Sequence, residues 1–257
     1  MRPVIIVSGA SSSLGTILCQ SLVNSGFKVY AGYNLNGHKI QKNKYIIPIE
    51  LNVTDTLSIQ KTINKIFDKE KNISGLVNLV AISPSGDTLQ FEAQDFQTIL
   101  DINVVGSFRL IKEVLPILPA SGKIINIGSL SGLISFPRFS LYSASKFALR
   151  AMSLSLYHEW LSKKRYIVHI APGAIAKYPS VPAPLGSSRN KLPLLNWLFP
   201  LTSPHYVSKV IINCIKNPSP PAEILIGADT LILALIRRLT PEFLWNYIQA
   251  LVWKKQQ

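Results

Sequence analysis

A chain of 257 residues, 47% of them hydrophobic, is long enough to bury a large core, and its two cysteines, Cys19 and Cys214, exclude a disulfide framework or a cysteine-based zinc site. Its 27 basic and 13 acidic residues leave a formal charge of +14. That charge is spread over both halves (15 basic and 9 acidic in 1–150, 12 and 4 in 151–257), without the focused stripe and aromatic platforms of a nucleic-acid surface, so nucleic acid is not an expected partner.

The opening run, Val4 to Val7, is a short β-branched strand that breaks into the small-residue turn Ser8-Gly-Ala-Ser-Ser-Ser-Leu-Gly15 and then an apolar stretch from Ile17 to Val23. This reads as strand, tight turn, helix. Such a turn lets backbone N–H groups at a helix start approach a pyrophosphate, which the helix dipole favours. Further strands are expected at Phe27–Gly32, Gly75–Ile82, Gly122–Gly128, Tyr166–Pro172 and Glu223–Gly227. Near-continuous apolar strands separated by helical segments predict a doubly wound parallel sheet with helices on both faces, a Rossmann-like α/β fold, with ligands at the carboxyl ends of the strands. The chain is expected to form one domain, with a core over 1–176, a lid over 177–205, the last helix and strand over 206–228 and a C-terminal helical extension over 229–257. The start is too short for a signal-peptide core, and no run reaches the roughly 18 apolar residues of a spanning helix, so a cytoplasmic location is expected.

The most informative local pattern is Tyr142-Ser-Ala-Ser-Lys146, thirteen residues after Ser129. On a helix, positions i and i+4 share a face, so a phenol and an ammonium there address one small volume. A nearby cation is expected to lower the pKa of Tyr142 toward the range useful for proton transfer. Taken alone the pair also fits a solvated helix face; the order and spacing of the surrounding motifs decide.

With these motifs together, the sequence resembles the classical short-chain dehydrogenase/reductase family from about Val4 to Gly227. Ser8 to Gly15 resembles its cofactor loop, Asn78-Leu-Val-Ala81 a variant of its N-N-A-G element, Asn103 its helix asparagine, and Ala171-Pro-Gly-Ala-Ile175 the segment after the sixth strand. Ser129, Tyr142 and Lys146 match its catalytic serine, tyrosine and lysine. The resemblance implies hydride transfer between a nicotinamide and a carbonyl or alcohol, with Tyr142 as general acid/base, Ser129 hydrogen-bonding the substrate oxygen, Lys146 holding the nicotinamide ribose and Asn103 positioning a relay water. It implies cofactor contacts at Gly9, Ser11, Ser12, Ser13, Leu14 and Gly15 in the loop, at Tyr33, Asn34, Asn52 and Val53, at Asn78 and Ala81, at Tyr142 and Lys146, and at Pro172, Gly173 and Ile175. It also implies a homodimer or homotetramer, and no metal.

Several positions depart from the family pattern. Ser13 replaces a glycine, Leu79 and Ala81 replace an asparagine and a glycine, Asn52 an aspartate and Lys177 a threonine. These departures keep open a non-catalytic dinucleotide-binding or membrane-peripheral role on the same fold. No carboxylate lies between Gly15 and Glu50, while His38, Lys39, Lys42 and Lys44 follow Tyr33-Asn34, so NADP(H) is favoured over NAD(H). Leu194, Leu195, Trp197, Leu198 and Phe199 predict an apolar lid and hence a hydrophobic small-molecule substrate. In the tail, Thr240-Pro-Glu is a helix start with Thr240 as cap. Phe243, Leu244, Tyr247, Ile248, Leu251 and Val252 follow at helical spacing, widened by Trp245 and Trp253 and closed by Lys254-Lys255. This stretch, 240–255, either lies on a membrane surface or folds over its own domain or a partner copy.

Overall fold

A computed structural model of the chain describes residues 2–35, 37, 40–176 and 201–254, with side chains described as far as Leu251. Seven parallel strands form one sheet in the order β3-β2-β1-β4-β5-β6-β7: β1 Val4–Ser8, β2 Lys28–Tyr33, β3 Ile46–Glu50, β4 Gly75–Asn78, β5 Lys123–Ile127, β6 Tyr166–Pro172 and β7 Glu223–Ile226. The pleat sends alternate side chains to opposite faces, as the period of two requires. Ile5 and Val7 enter a cluster with Leu18 and Leu22 of helix α1 (Ser13–Asn24) and Val207 and Ile211 of α6 (Pro204–Lys216). Val4 and Ile6 enter the other, with Ile59, Ile63 and Ile66 of α2 (Thr56–Glu70), Leu110 and Val114 of α4 (Gly106–Val114), and Met152 and Leu156 of α5 (Ser140–Leu161). The sheet is therefore covered on both faces, in the doubly wound arrangement expected. Strand order reverses direction between β1 and β4, which opens a crevice at their carboxyl ends.

Side-chain caps and a left-handed residue set the bounds of the helices around the sheet. Asp55 caps α2 by accepting from the Ser58 N–H at 3.0 Å, and α2 stops at Lys71, which adopts the left-handed conformation at φ 58°. Ser203 caps α6, with Pro204 in its first turn. Between α3 (Ala93–Leu100) and α4, residues Asp101–Val105 form a π turn around Asn103, a widening of the helix that recurs at functional sites.

Three expectations need correction. The strand β3 was not anticipated, because Pro48 sits in its middle; as the outermost strand of the sheet it tolerates the lost donor. The strand expected at 75–82 ends at Asn78, because the next amides are taken by side chains: Leu79 N–H donates to Ser8 Oγ at 3.2 Å and Ile82 N–H to Asn103 Oδ1 at 2.8 Å. Thr240 does not cap the last helix. Its hydroxyl donates back to the Ile236 carbonyl at 2.6 Å, closing α7 (Ala228–Leu239), and α8 (Glu242–Lys254) begins with Trp245 N–H donating to Pro241 O. No helix among the described residues is long and apolar enough to cross a membrane.

Candidate active site

The crevice at the end of β1 is shaped by two glycines. Gly9 turns the chain at φ +70°, and a Cβ at Gly15 would lie 2.5 Å from the Gly9 carbonyl oxygen, so α1 packs directly on the turn. Ser12 caps α1 by accepting from Gly15 N–H at 3.1 Å, and its hydroxyl donates to Gly9 O at 2.8 Å. Ser11 donates to Leu35 O at 3.3 Å, tying the turn to the segment after β2. Ser13 is the first residue of α1, and Leu14 packs on the core. The first turn carries no acidic residue, so the positive end of the helix dipole is not neutralised by a carboxylate of its own. A cradle of this form fits the pyrophosphate of a dinucleotide.

Tyr33 ends β2 and its ring lies against Gly37, where a Cβ would come within 2.5 Å; Asn34 follows, exposed. Glu50 pairs in register with Tyr33, but it lines a cleft of about 460 Å³ with Tyr30, Thr62, Lys65 and Lys69, beside α2. Asn52 Oδ1 accepts from both the N–H and the hydroxyl of Thr54, at 3.1 and 2.9 Å, which forms a local turn. Val53 is buried beneath Gly106, and its carbonyl accepts from Arg109. Asn78 is drawn into a buried ladder across the strand ends: Ser8 Oγ donates to Asn78 Oδ1 at 3.4 Å, Asn78 Nδ2 to Asn126 Oδ1 at 2.8 Å, and Asn126 Nδ2 to Ser153 Oγ at 2.9 Å. Ala81 is exposed beyond it. Pro172 ends β6; Gly173 N–H donates to Ile226 O at 2.9 Å, and Ile175 bridges to Thr202.

Ser129, Tyr142 and Lys146 come together, and Asn103 meets the same helix at Ser145. Ser129 stands just past β5, where its hydroxyl accepts from Ser131 N–H at 3.1 Å and donates to the Tyr142 phenol oxygen. Lys146, one turn along α5 from Tyr142, is buried, and its Nζ donates to the Ile127 carbonyl at 2.9 Å while lying 5.7 Å from the Tyr142 ring centre. Asn103 is fully buried in the π turn: its Oδ1 accepts from Ile82 N–H, and its Nδ2 donates to Ile82 O at 2.9 Å and to Ser145 Oγ at 3.0 Å. That pins α4, α5 and the segment after β4 to one another.

The electrostatics differ from the expectation in one respect. Burial pushes the Tyr142 phenol above its ordinary value, and the hydrogen bond from Ser129 recovers only part. The lysine does not reverse this, because its own ammonium is desolvated, held on a backbone carbonyl, and pushed down to about 8.

Behind the loop that carries Ser129 lies a cluster that spacing could not reveal. Arg150 of α5 grips Glu223 of β7 with Nε at 2.6 Å and Nη2 at 2.9 Å, and His169 Nδ1 lies 3.0 Å from Glu223 Oε1. Burial alone raises the Glu223 carboxyl, but the hydrogen bonds from Arg150 and His169 outweigh it and hold it at about 2. Burial pushes His169 down against the opposing pull of Glu223, so the ring is neutral near pH 7 and donates from Nδ1. Its Nε2, buried without a hydrogen-bond partner, is then a bare lone pair facing Gly128, where a Cβ would lie 2.0 Å away. Asp229 plays a similar supporting part: it accepts from Ala174 N–H at 2.8 Å, leaving no room for side chains at Gly173 and Gly227. The one signal for Asp229 in the sequence was an acid just after a glycine at a helix start. Residues 177–200 of the expected lid, with Lys177 and Leu194 to Phe199, lie outside the described residues, as do His38 and Lys39, whereas its last residues, Pro204 and His205, form the start of α6.

A family model described as short chain dehydrogenase matches residues 3–180. Among curated relatives, a 3-oxoacyl-[acyl-carrier-protein] reductase of Synechocystis sp. is 29% identical over 183 residues, covering 67% of this chain and 74% of that one. A 3-ketodihydrosphingosine reductase of Bacteroides thetaiotaomicron is 30% identical over 159 residues, covering 61% and 58%. A solved short-chain dehydrogenase from Streptomyces avermitilis superposes with a TM-score of 0.80 at 21% identity, over 100% of this chain and 96% of the other. ElxO with NADP bound gives 0.79 at 23% identity over 90% and 100%. At these identities the solved structures bear on the fold alone.

Proposed function

Because this chain belongs to the short-chain dehydrogenase family, we propose that it is an NADP(H)-preferring reductase or dehydrogenase of a hydrophobic carbonyl or alcohol, with Tyr142 as the general acid/base. The observation that carries the reading is the convergence of Ser129, Tyr142 and Lys146 on one volume at the carboxyl end of β5. A nicotinamide dinucleotide held by the Gly9–Gly15 cradle would supply or accept the hydride. In the reducing direction the Tyr142 hydroxyl gives its proton to the oxygen that gains negative charge. Ser129, oriented by the Ser131 N–H it accepts from, hydrogen-bonds that same oxygen. A phenol kept neutral by burial holds a proton to give, which suits carbonyl reduction. Lys146 carries a partial charge around pH 8 beside the phenol, and Asn103 locks α5 in register so that both groups keep their positions.

The cofactor preference rests on the segment after β2: Asn34 is exposed where an acid would repel a ribose phosphate, and Glu50 lines the cleft beside α2. A hydrophobic substrate is supported by the apolar sequence Leu194, Leu195, Trp197, Leu198 and Phe199 in the stretch after Ile175. Two of the relatives are, by name, reductases of keto or oxo compounds. The test is titration with NADPH and NADH by nicotinamide fluorescence, beside turnover of hydrophobic ketones and aldehydes by the protein and its Tyr142→Phe variant. The reading requires NADPH binding in both and turnover lost, by about a thousandfold, in the variant. Binding without turnover in either would move the assignment to a dinucleotide-binding role without chemistry.

A further inference from the structure

We propose that the outward faces of α7 and α8 form a docking surface for an anionic phospholipid membrane, an inference that does not depend on the reaction assigned above. Nine of the twenty exposed large apolar side chains among the described residues lie between 231 and 251, so exposure is concentrated there rather than scattered. On α7, Leu231, Ile232, Leu235, Ile236 and Leu239 recur at intervals of one, three and four, which places them on one stripe. On α8, Phe243, Leu244, Tyr247 and Leu251 do the same.

The opposite sides of both helices are committed to the protein. Trp245, 8% exposed, packs on Leu130 and Ile134, and Leu233 of α7 joins the same cluster. Gln249 Nε2 donates to the Ser135 carbonyl at 3.0 Å, and Arg237 pairs with Glu242 while lying over the Trp245 ring. Two helices anchored on one cluster turn their free stripes away from one body. The apolar exposure is therefore the outer side of two docked helices, not of an undocked tail.

Charge selects the occupant. The two acids of this segment are engaged within the protein: Asp229 is buried and accepts from Ala174 N–H, and Glu242 pairs with Arg237. Arg238 is exposed at the margin of the α7 stripe, and Lys254-Lys255 follow in sequence. A net charge of +14 draws the chain to an anionic surface. A second copy also has a separate apolar surface available, in Phe96, Val105, Phe108 and Phe147 of the α3–α5 region. Apolar side chains flanked by basic ones, with Tyr247 among them, match the headgroup and acyl boundary of a bilayer.

The test is co-sedimentation of the full chain with phosphatidylcholine vesicles, with and without phosphatidylglycerol, at low and high salt. The expected result is partitioning onto the phosphatidylglycerol vesicles about tenfold stronger than onto phosphatidylcholine alone, weakened by salt. A double variant, Leu235→Glu with Phe243→Glu, should lose about tenfold of that binding while keeping its circular dichroism and its NADPH binding. Since both side chains are exposed, the variant is expected to fold. No binding by the full chain at low salt overturns the proposal. So does unchanged binding by the double variant, which would make the attraction one of diffuse charge. A variant that turns an oligomer into a monomer, from a parent that ignores vesicles, would assign the face to self-association instead.

Discussion

Gly128→Ala tests whether the loop carrying Ser129 is set from behind by His169. The added Cβ would stand 2.0 Å from His169 Nε2 and 2.6 Å from Cε1, inside any tolerable contact. The ring cannot swing away cheaply, because its Nδ1 is held by Glu223 at 3.0 Å and Glu223 is itself gripped twice by Arg150. Overpacking of a rigid interior costs about 1–3 kcal/mol, and loosening a buried hydrogen bond to a charged group adds about 1–2 kcal/mol, so the variant should lose about 3 kcal/mol. In a His169→Ala background the same methyl enters vacated space and its cost should fall below about 1 kcal/mol, a coupling of about 2 kcal/mol. Equilibrium urea unfolding of the four proteins, with unchanged denaturant slopes, reads the cycle. A Gly128→Ala loss under about 0.5 kcal/mol, or an equal loss in both backgrounds, would refute the contact as the cause.

The same cluster fixes how stability responds to acid. Glu223 is held at about 2 in the folded chain, so its contribution is complete above the ordinary carboxylate range and is lost as the pH falls through that range toward 2. At pH 3 this amounts to about 2 kcal/mol, with the side chain 21% exposed. His169 acts in the same sense: its folded value is lowered, so below the ordinary histidine range the unfolded chain takes the proton first and stability declines. Urea unfolding between pH 7 and pH 3 should show this decline and should show it flattened in Glu223→Gln; an unflattened profile would place the acid sensitivity elsewhere. Asn34→Asp should oppose the proposed preference for NADP(H) by placing a carboxylate just beyond β2, weakening NADPH relative to NADH by about tenfold in fluorescence titration; an unchanged ratio would refute the reading of Asn34 as the position that selects the cofactor.

What was legible in the sequence is what repeats along it. Runs such as Val4 to Val7, apolar at every position, and Tyr166 to Pro172, apolar but for His169, are covered on both faces of the strand, so the parallel sheet could be read directly. Tyr142 and Lys146 could be placed together because i and i+4 share a helix face, and Ser129 was added to them by the resemblance alone. Spacing says nothing of what else lies in that volume. The Ile127 carbonyl that receives Lys146, and the burial that raises Tyr142, come from a strand the helix packs on. Asn78 was expected at the cofactor, yet its amide is spent on Ser8 and Asn126, seventy and forty-eight residues away. The His169–Glu223–Arg150 cluster joins residues fifty-four and seventy-three apart and had no local signature.

The tail shows the same boundary within one helix. Its apolar pattern was correctly helical, and Trp245 was grouped with Phe243 and Tyr247 as one wide stripe. In the structure those residues divide: Trp245 is buried on Leu130 and Ile134, while Phe243 and Tyr247 are 76% and 61% exposed. Helical periodicity identifies neighbours on a cylinder, but the side that meets the body is decided by the surface it meets, here the loop following Ser129. That contact places the anchored face of α8 against the loop that follows Ser129. Whatever covers the outer face of α7 and α8 is thus one helix away from the site, and a substrate delivered from an apolar phase would travel a short path to it.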